Sequence, residues 1–311
     1  MITSLCLNPS FDRTVTIHEF RLGETNRVLD ARTDAGGKGL NVAAALTSLS
    51  VDALCLGLAG DQQMERLRGM TEELGVPCYW KPIPGEIRTN TKLRDDRSGE
   101  VTEITEAGPT VSPETAERFF SANEAYLRVS DFVVFTGSVP PGCTTALYAD
   151  WMRRLRGVRC VLDASGETLA RGLAEKPFLV KPNIEELVEC CALPREKWND
   201  LPAIAEAGRS LLKRGTEMAL VSMGKRGAML VTDRRLWFAP ALEVEVVSAV
   251  GAGDSMLAGF LAGYERNKDA VEGFRWSVAA ATAAVRTEGT QPLRYEDFEA
   301  LLPQVQVQAL S

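Results

Sequence analysis

Apolar residues recur along the chain with two different spacings, one typical of strands and one typical of helices. Short apolar runs, such as residues 2–7 and 132–135, predict buried strands, and stretches with apolar residues three or four positions apart predict the helices between them. From residue 113 onward strands and helices follow one another in turn, and residues 243–247 are predicted to be the last strand before the final helices. This order predicts an α/β fold with a mainly parallel sheet and helices on both faces.

Two segments interrupt this order, residues 13–33 and 87–106. Both have alternating apolar and polar residues without a helical stripe, and a polar turn at Gly99 predicts a hairpin in the second segment. Because two-stranded ribbons are rarely stable alone, we expect the two segments to pair in one small sheet that forms a lid. The predicted division is a discontinuous β lid, residues 13–33 and 87–106, and an α/β core, residues 1–12, 34–86 and 107–311.

The composition limits the kinds of partner. The chain has 311 residues and a formal net charge of −7, so a nucleic-acid partner is not expected. No apolar run reaches the roughly 18 residues that a membrane span needs, and we expect no membrane partner. The 7 cysteines include no Cys-x-x-Cys pair and are expected to be free thiols in a reducing cytoplasm. A single histidine, His18, argues against a Ser-His triad or a multi-histidine metal site.

A glycine turn before a predicted helix is the first candidate site. Gly251, Ala252 and Gly253 precede apolar residues that have helical spacing from Met256 onward. Glycines let an anion approach the backbone, and the free N–H groups of a first helical turn bind phosphate. Asp254 lies at the same place and has two interpretations. It is either an N-cap residue, the more common case for a lone Gly-Asp, or a general base beside a phosphoryl group in transfer.

Polar and glycine-rich turns follow several other predicted strands. Open α/β sheets bind ligands at the carboxyl ends of their strands, and we expect Asp12 to stand there, just after the first strand. A second glycine turn, residues 36–39, leads into a predicted helix but is a weak signal alone. In the lid, Arg88, Asn90 and Lys92 share one face of their strand, which is either a ligand-binding face or a solvated one.

Short motifs are spread over nearly the whole chain. They are Leu7-Asn8-Pro9 with Asp12, Gly36-Gly37-Lys38-Gly39 with Asn41, Arg88-x-Asn90-x-Lys92, Gly137-Ser138-x-Pro140-Pro141-Gly142, Asp163-x-Ser165-Gly166, Lys181-Pro182-Asn183 with Glu186, Ser222-x-Gly224-x-x-Gly227 and Val250-Gly251-Ala252-Gly253-Asp254-Ser255. In this order they resemble the motifs of ribokinase-like PfkB carbohydrate kinases and, within that family, of the 1-phosphofructokinases and tagatose-6-phosphate kinases. One departure is Ala249, where relatives usually have threonine.

The resemblance implies transfer of a phosphoryl group from ATP to a sugar phosphate. In such kinases the aspartate of Gly-Ala-Gly-Asp removes the proton from the acceptor hydroxyl, which assigns Asp254 as the base and the N–H groups of Gly251, Ala252 and Gly253 as the anion hole. The residues implied to bind ATP are Lys181, Asn183, Ser222, Gly224, Gly227 and Gly253. Those implied to organise Mg²⁺ through water are Asn183 and Glu186.

For the sugar end, the resemblance implies contacts from both the core and the lid. Asp12 and Asn41 would bind hydroxyls, and Arg88 and Lys92 would bind the phosphate. The further residues implied at this end are Gly36, Gly37, Lys38, Asn90 and Ser138. The lid would close over the substrate and exclude water, and its exposed strands would form a homodimer surface.

Three functions are compatible with these residues. The first is phosphorylation of fructose 1-phosphate at its 6-hydroxyl, which gives fructose 1,6-bisphosphate. The second is phosphorylation of tagatose 6-phosphate or fructose 6-phosphate at the 1-hydroxyl. The third, from a different class, is a sugar-phosphate sensor without catalysis. The Asn90-x-Lys92 continuation after Arg88 favours the first function, and the presence of Asp254 with the whole glycine turn argues against the third.

Overall fold

The structure, a computed structural model, describes residues 1–310 and contains fourteen β-strands and ten α-helices within them. The strands, in chain order, are β1 Ile2–Cys6, β2 Ser10–Ile17, β3 Val28–Gly36, β4 Ala53–Gly60, β5 Cys78–Ile83, β6 Arg88–Asp95, β7 Val101–Ile104, β8 Phe132–Thr136, β9 Arg159–Asp163, β10 Leu179–Val180, β11 Met218–Ser222, β12 Ala228–Thr232, β13 Leu236–Ala239 and β14 Gln308–Leu310. The helices are α1 Lys38–Ser48, α2 Met64–Glu73, α3 Pro113–Val129, α4 Leu147–Arg154, α5 Gly166–Leu173, α6 Ile184–Cys191, α7 Leu201–Lys213, α8 Ala252–Asn267, α9 Ala270–Ala284 and α10 Tyr295–Leu301.

One large sheet has the strand order β14-β13-β12-β11-β10-β9-β8-β1-β4-β5. From β5 to β11 all neighbouring strands are parallel, and β12, β13 and β14 add an antiparallel edge. The parallel strands therefore end at one common edge, where ligands bind in open α/β sheets. The prediction of an α/β fold with a mainly parallel sheet is confirmed.

The central strands are buried on both faces because helices cover both sides of the sheet. Every residue of β1 and β8 is buried. Successive side chains of β8 point to opposite faces: Phe132 and Val134 join the core that contains α8 and α9, and Val133 and Phe135 join the core that contains α3 and α4. Burial on both faces fixes the strands in place, and with them the residues that follow their carboxyl ends.

A separate four-stranded sheet has the order β3-β2-β6-β7. It is built from the two segments that interrupt the β/α alternation, and β6 and β7 form the predicted hairpin. β2 and β6 are parallel neighbours, and their register sets Asp12 beside Asn90. The predicted small sheet outside the main sheet is therefore present, and we call it the lid sheet. The boundaries proposed for a lid domain stay a prediction.

Asp12 belongs to the lid sheet and not, as expected, to the carboxyl end of the first core strand. β1 ends at Cys6, and residues 7–9 alone separate it from β2, in which Asp12 is the third residue. The chain thus passes from one sheet into the other without a loop long enough to be recognised in the sequence. As a result, it is the lid sheet that carries Asp12 to the cleft described below.

One strand prediction is wrong and one strand was missed, each for a physical reason. Residues 243–247 form no strand; Val244 and Val246 instead line the cleft described below, so their alternation reflects a cavity wall and not a β-ladder. The missed strand is β5, which contains Pro82, a residue that cannot donate to a β-ladder. It is an edge strand, however, where the missing N–H of a proline is tolerated.

Two expectations about the whole chain concern membranes and cysteines. Among residues 1–310, none of the helices has the length and apolar character needed to cross a bilayer. Every cysteine lies in the described part of the chain and is free, as predicted.

Close packing between α8 and α9 fixes the direction of α8, whose first turn carries Asp254. A Cβ atom at Gly259 of α8 would lie 2.6 Å from both Ala280 Cβ and Trp276 O of α9. A Cβ atom at Gly263 would lie 2.6 Å from the Trp276 indole. The two helices therefore approach each other closely only because these positions have no side chain.

We expect Gly259→Ala to lower the free energy of unfolding by about 1–3 kcal/mol, because the added methyl group must push α9 away. Chemical denaturation followed by circular dichroism measures the change. Gly69→Ala in α2 is the matched control: no atom lies within 4 Å of its added Cβ, and higher helix propensity should stabilise it by up to about 1 kcal/mol. Equal effects of the two substitutions would contradict the packing interpretation.

Candidate active site

A cleft of about 1210 Å³ lies between the carboxyl edge of the large sheet and the lid sheet. The lid sheet contributes Asp12 and Arg88 to its wall, and the segments that follow β10 and β11 contribute Lys181 and Gly224. The N-terminus of α8 lies in the same cleft. Residues that are far apart in the sequence therefore share one cavity.

The first turn of α8 presents backbone donors to the cleft. Gly251, which precedes the helix, has a left-handed φ of 75°, and no side chain caps the helix. Ala252 N lies a long 3.4 Å from Ala249 O. The N–H groups of Gly253 and Asp254 have no acceptor in this turn, as expected for the second and third residues of an uncapped helix. With the positive end of the helix dipole, these donors suit an anion.

Asp254 is buried and does not cap the helix. Its carboxyl group accepts a hydrogen bond from Asn41 Nδ2 at 2.8 Å, so the N-cap interpretation is wrong. Burial raises the pKa of Asp254 to about 6, with a further contribution from Asp163, while Lys38, Asn41 and Lys181 oppose the rise. A carboxyl group with this pKa is ionised at neutral pH and accepts a proton more readily than an ordinary aspartate.

Two lysines flank a second buried carboxylate beside this turn. Asp163 Oδ1 lies 3.2 Å from Lys181 Nζ, and Asp163 Oδ2 lies 3.4 Å from Lys38 Nζ. The Thr136 hydroxyl donates to the same Oδ2 at 3.1 Å. Burial alone would raise the pKa of Asp163, but the two ammonium groups hold it below its ordinary value, and Asp163 in turn raises the pKa of Lys38. A Cβ at Gly253 would lie 3.3 Å from Lys181 Nζ, so this lysine sits against the first turn of α8.

At the lid end of the cleft, Asp12 collects three donors. Its Oδ1 accepts from Ser10 Oγ at 2.8 Å and from Asn90 Nδ2 at 3.1 Å, and its Oδ2 forms a salt bridge with Lys92 Nζ at 3.1 Å. Only 7% of the Lys92 side chain is exposed. Lys92 was expected to offer its charge to a phosphate, but Asp12 already neutralises that charge. In the structure Lys92 therefore holds Asp12 in position.

Arg88 lines the cleft without a salt bridge to any carboxylate of residues 1–310. Its Nη2 donates to Asn8 O at 2.9 Å and its Nη1 donates to Glu106 O at 3.3 Å, whereas Nε has no partner. Burial lowers the pKa of Arg88, although a guanidinium group stays charged at neutral pH. Asn90 Oδ1 is also buried without a partner. Buried polar atoms without partners are rare, so these two atoms fit a polar ligand at this end of the cleft.

Two residues predicted at the sugar end lie behind the cleft wall. Gly36 makes room for Asp12, because a Cβ atom there would lie 2.6 Å from Asp12 Cγ. Ser138 does not line the cleft, and its Oγ accepts a hydrogen bond from Asn8 Nδ2 at 3.1 Å. Gly37, in contrast, lines the cleft and precedes α1 with a φ of 115°, a conformation that favours glycine.

Asn183 and Glu186 line the opposite end of the cleft and also cap α6. Asn183 Oδ1 accepts from Glu186 N at 2.8 Å, and Glu186 Oε2 accepts from Asn183 N at 2.9 Å, which is a capping box. Within the described chain, no group of three or more His, Cys, Asp or Glu side chains is arranged to hold a metal ion. This donor set fits Mg²⁺ bound mainly by phosphate oxygens and water, with Glu186 Oε1 as the remaining carboxylate oxygen.

Ser222, Gly224 and Gly227 line the same end, as the sequence motif implies. Gly227 has a φ of 100°, and a Cβ atom there would lie 2.0 Å from Ala239 O, so a larger residue does not fit. Sequence reasoning missed a mainly apolar group of residues that also lines this cleft. They are Leu242, Val244, Val246, Val278, Ala281, Thr282 and Val285.

The signal for this apolar wall was present but ambiguous. The last four of these residues lie three or four positions apart along α9 and just beyond its end. In a sequence, this spacing usually indicates the side of a helix that packs against the core. Sequence reasoning also missed polar and aromatic residues of the cleft, among them Glu103, Thr105 and Trp198. It quoted Asp163 within a motif but gave it no role.

Comparison with known proteins places these features in a family. Residues 7–296 match the family described as pfkB family carbohydrate kinase. The 1-phosphofructokinase of Escherichia coli K12 is 32% identical over 309 residues, 99% of this chain and 98% of that protein. The 1-phosphofructokinase of Bacillus subtilis 168 is 35% identical over 317 residues, 100% of both. The tagatose-6-phosphate kinase of Staphylococcus epidermidis is 30% identical over 311 residues, 99% of both.

Solved structures agree with the fold. Phosphofructokinase-2 from Escherichia coli in complex with fructose-6-phosphate gives a TM-score of 0.87 at 25% identity and covers 97% of this chain and 98% of that chain. Ribokinase from Thermotoga maritima gives a TM-score of 0.79 at 20% identity and covers 97% of this chain and 99% of that chain. The predicted ribokinase-like fold is confirmed.

The raised pKa of Asp254 predicts that Asp254→Asn stabilises the protein at neutral pH. Because the folded carboxyl group has a pKa of about 6 against an ordinary 3.8, the folded state binds its proton more tightly than the unfolded state. The free energy of unfolding should therefore fall as pH rises from about 4 to about 6, and asparagine should remove this loss. Thermal unfolding of both proteins at pH 4 and pH 8 measures the difference.

We expect a higher Tm for Asp254→Asn than for the wild type at pH 8. At pH 4 the difference should be much smaller, because the folded Asp254 side chain is then protonated and, like asparagine, uncharged. Asp233→Asn, at an exposed position, is the control and should change the Tm equally little at both values. A stabilisation by Asp254→Asn that is the same at pH 4 and pH 8 would show that ionisation of Asp254 is not its cause.

Proposed function

This chain belongs to the pfkB family of carbohydrate kinases, and we propose that it transfers the γ-phosphoryl group of ATP to the 6-hydroxyl of fructose 1-phosphate, giving fructose 1,6-bisphosphate and ADP. The observation that carries the proposal is a buried carboxylate, Asp254, beside an uncapped helix N-terminus and two lysines. The names of the relatives in Escherichia coli and Bacillus subtilis support the choice of sugar phosphate.

Asp254 is proposed as the base that takes the proton of the acceptor hydroxyl. Its pKa of about 6 keeps it ionised at neutral pH and close to the operating pH, where general base catalysis is most effective. Asn41 donates to one carboxylate oxygen and so fixes the orientation of the group. The second oxygen is then the one that accepts the proton. General base catalysis contributes about 10²–10⁴-fold, so the remainder of the acceleration must come from positioning and charge.

The charge of the transferring phosphoryl group is proposed to be stabilised by the first turn of α8 and by the two lysines. The N–H groups of Gly253 and Asp254 are free to donate, and Lys38 and Lys181 are held on either side of Asp163. We place Lys38 with the phosphates and not with the sugar, because it shares a carboxylate with Lys181. Mg²⁺ bound to ATP would neutralise further phosphate charge, with Asn183 and Glu186 as its nearest protein groups.

Arg88 is proposed to bind the phosphate that the sugar already carries. It is a cation of the cleft that has no carboxylate partner in residues 1–310, and its Nε lacks an acceptor. A guanidinium group can bind a phosphate through two parallel hydrogen bonds. Asp12, held by Lys92 and Asn90, would accept hydrogen bonds from sugar hydroxyls.

A second candidate is phosphorylation of tagatose 6-phosphate or fructose 6-phosphate at the 1-hydroxyl. The relative in Staphylococcus epidermidis is a tagatose-6-phosphate kinase, and a similar structure contains fructose-6-phosphate. Both reactions need a base at one end of the sugar and a cation at the other, which Asp254 and Arg88 provide equally. A sensor without catalysis is less well supported, because ligand binding alone does not require a buried, ionised carboxylate.

The proposal predicts the highest kcat/KM for fructose 1-phosphate among the three sugar phosphates, measured by coupling ADP formation to NADH oxidation.

Arg88→Gln should raise the KM for the sugar phosphate by about 10–100-fold, because a hydrogen-bonded charge contributes about 1.5–3 kcal/mol. Arg94→Gln, at an exposed position farther along the same strand and outside the cleft lining, is the matched control and should change the KM little. Asp254→Asn should lose about 10²–10⁴-fold in kcat. Higher kcat/KM for either 6-phosphate would replace the first candidate with the second.

We also propose that the lid sheet forms a homodimer. Its edge strands β3 and β7 carry exposed apolar side chains, among them Val28, Leu29, Val101 and Ile104, each more than half exposed. Apolar edge strands of this kind readily pair with a second copy of the chain.

The double substitution Val101→Asp with Ile104→Asp should therefore shift the protein from dimer to monomer in sedimentation velocity. Tyr126→Asp, at an exposed apolar position of α3, is the control and should leave the sedimentation coefficient unchanged. The dimer proposal fails if the wild-type chain sediments as a monomer at micromolar concentration.

A further inference from the structure

Two adjacent cysteines, Cys190 and Cys191, end α6 at a distance from the residues assigned to catalysis. Both are partly exposed, and each is a free thiol. The neighbouring helix α7 packs against this end of α6 and supplies the groups that surround the two sulfur atoms. None of these residues lines the cleft.

The surroundings of the two sulfur atoms differ. Cys191 Sγ lies 3.2 Å from Ser210 Oγ and 3.5 Å from Ala207 O. Ser210 Oγ itself donates to Ala207 O at 2.7 Å, so the Cys191 thiol lies against two oxygen atoms that can accept its proton. Cys190 Sγ instead accepts from Arg214 Nη1 at 2.9 Å. One sulfur is therefore held as a thiol, and the other is placed against a guanidinium group.

The charges around Cys190 favour its thiolate. The adjacent Cys191 thiol is the largest influence and, together with the Arg214 guanidinium 2.9 Å away, lowers the pKa of Cys190 to about 6, although partial burial and Glu189 oppose this. The adjacent Cys190 and burial raise the pKa of Cys191, although Ser210 and Arg214 oppose this rise. The carbonyl groups at the end of α6 also oppose a negative charge, so Arg214 is needed to offset them. A partly exposed thiolate beside an arginine is the environment of reactive cysteines.

We propose that Cys190 and Cys191 form a site of reversible oxidation by hydrogen peroxide. The Cys190 thiolate attacks one peroxide oxygen, so that an S–O bond forms, the O–O bond breaks and hydroxide leaves. The product is the sulfenic acid of Cys190. The Cys191 sulfur then attacks the Cys190 sulfur, an S–S bond forms, and the oxygen leaves as water with the proton of Cys191. The result is a disulfide between adjacent residues.

Geometry makes this disulfide easy to reduce. Consecutive Cα atoms are about 3.8 Å apart, whereas relaxed disulfides join Cα atoms about 4.4–6.8 Å apart. The bond is therefore strained, and strained disulfides have oxidising potentials and are labile to dithiols. Its formation also requires the last turn of α6 to unwind, next to Ala192, which already has a left-handed φ of 50°. Oxidation at this site is consequently reversible by a dithiol reductant.

The other cysteines lack one or more of these features. Cys6 and Cys55 also interact with each other, but they are 2% and 0% exposed, and burial raises the pKa of Cys55. Burial also raises the pKa of Cys143 and Cys160. Neither Cys143 nor Cys160 is bonded to a second cysteine or to an arginine. We therefore expect peroxide and alkylating reagents to react first at Cys190.

The first experiment measures alkylation of the full-length protein by limiting iodoacetamide between pH 5 and pH 9, with peptide mass spectrometry to locate the product. At pH 7, Cys190 should react on the order of tenfold faster than any other cysteine, with half-maximal rate near pH 6. Arg214→Gln should move this midpoint to higher pH, whereas Arg209→Gln, on the same helix but paired with Glu206, should not. Another cysteine reacting first, or an unchanged midpoint in Arg214→Gln, would overturn the assignment.

The second experiment treats the full-length protein with equimolar hydrogen peroxide. The wild-type peptide that contains residues 190–191 should lose two hydrogen atoms and regain them with dithiothreitol. Cys191→Ser should stop at the sulfenic acid, which dimedone captures at Cys190, and Cys190→Ser should give neither product. Retained circular dichroism and sugar-phosphate kinase activity show that each variant is folded. Disulfide formation elsewhere first, or dimedone capture in Cys190→Ser at the wild-type rate, would refute the proposal.

Discussion

The cleft depends on a balance between two buried carboxylates and two lysines. Asp163 is fully enclosed and lies within 3.4 Å of both Lys38 and Lys181. An isolated buried charge costs several kcal/mol, and removal of one partner from such a group leaves the other uncompensated. The same lysines oppose the effect of burial on Asp254. Asp163 holds the two lysines beside the anion-binding turn and, as a second negative charge, itself adds to the rise in the pKa of Asp254.

The parallel sheet brings this charge group together from distant parts of the chain. Asp163 is the last residue of β9, Lys181 directly follows β10, and Lys38 begins α1 after the lid strand β3. β9 and β10 are parallel neighbours, so their carboxyl ends lie side by side. Core side chains on both faces of these strands fix the spacing. The apolar packing around these strands thus sets the distances between the charged groups, although none of the charged groups is part of it.

Much of the fold and part of the site could be predicted from the sequence. Periodicity alone predicted the alternation of strands and helices after residue 113 and the two segments of the lid sheet. It failed for residues 243–247, because a chain that lines a cavity alternates like a strand. Most of the predicted site residues line the cleft, but their partners were not predicted. No sequence pattern shows that Lys92 pairs with Asp12, that Asn41 binds Asp254, or that Asn8 binds Ser138, because these contacts join elements through tertiary packing.

The chain crosses between the two sheets at four places: residues 7–9, 37, 84–87 and 105–112. Asp12 and Arg88 lie within a few residues of these crossings, whereas the far ends of the lid strands, near residues 18–27 and 96–100, lie well away from them. Any swing of the lid sheet must pivot on this line, and displacement grows with distance from a pivot. In such a swing the tips would move farthest, while Asp12 and Arg88 would shift least. The swing would change the width of the cleft entrance more than the arrangement of these two residues, so substitutions at the tips would act on entry and exit and not on ligand recognition.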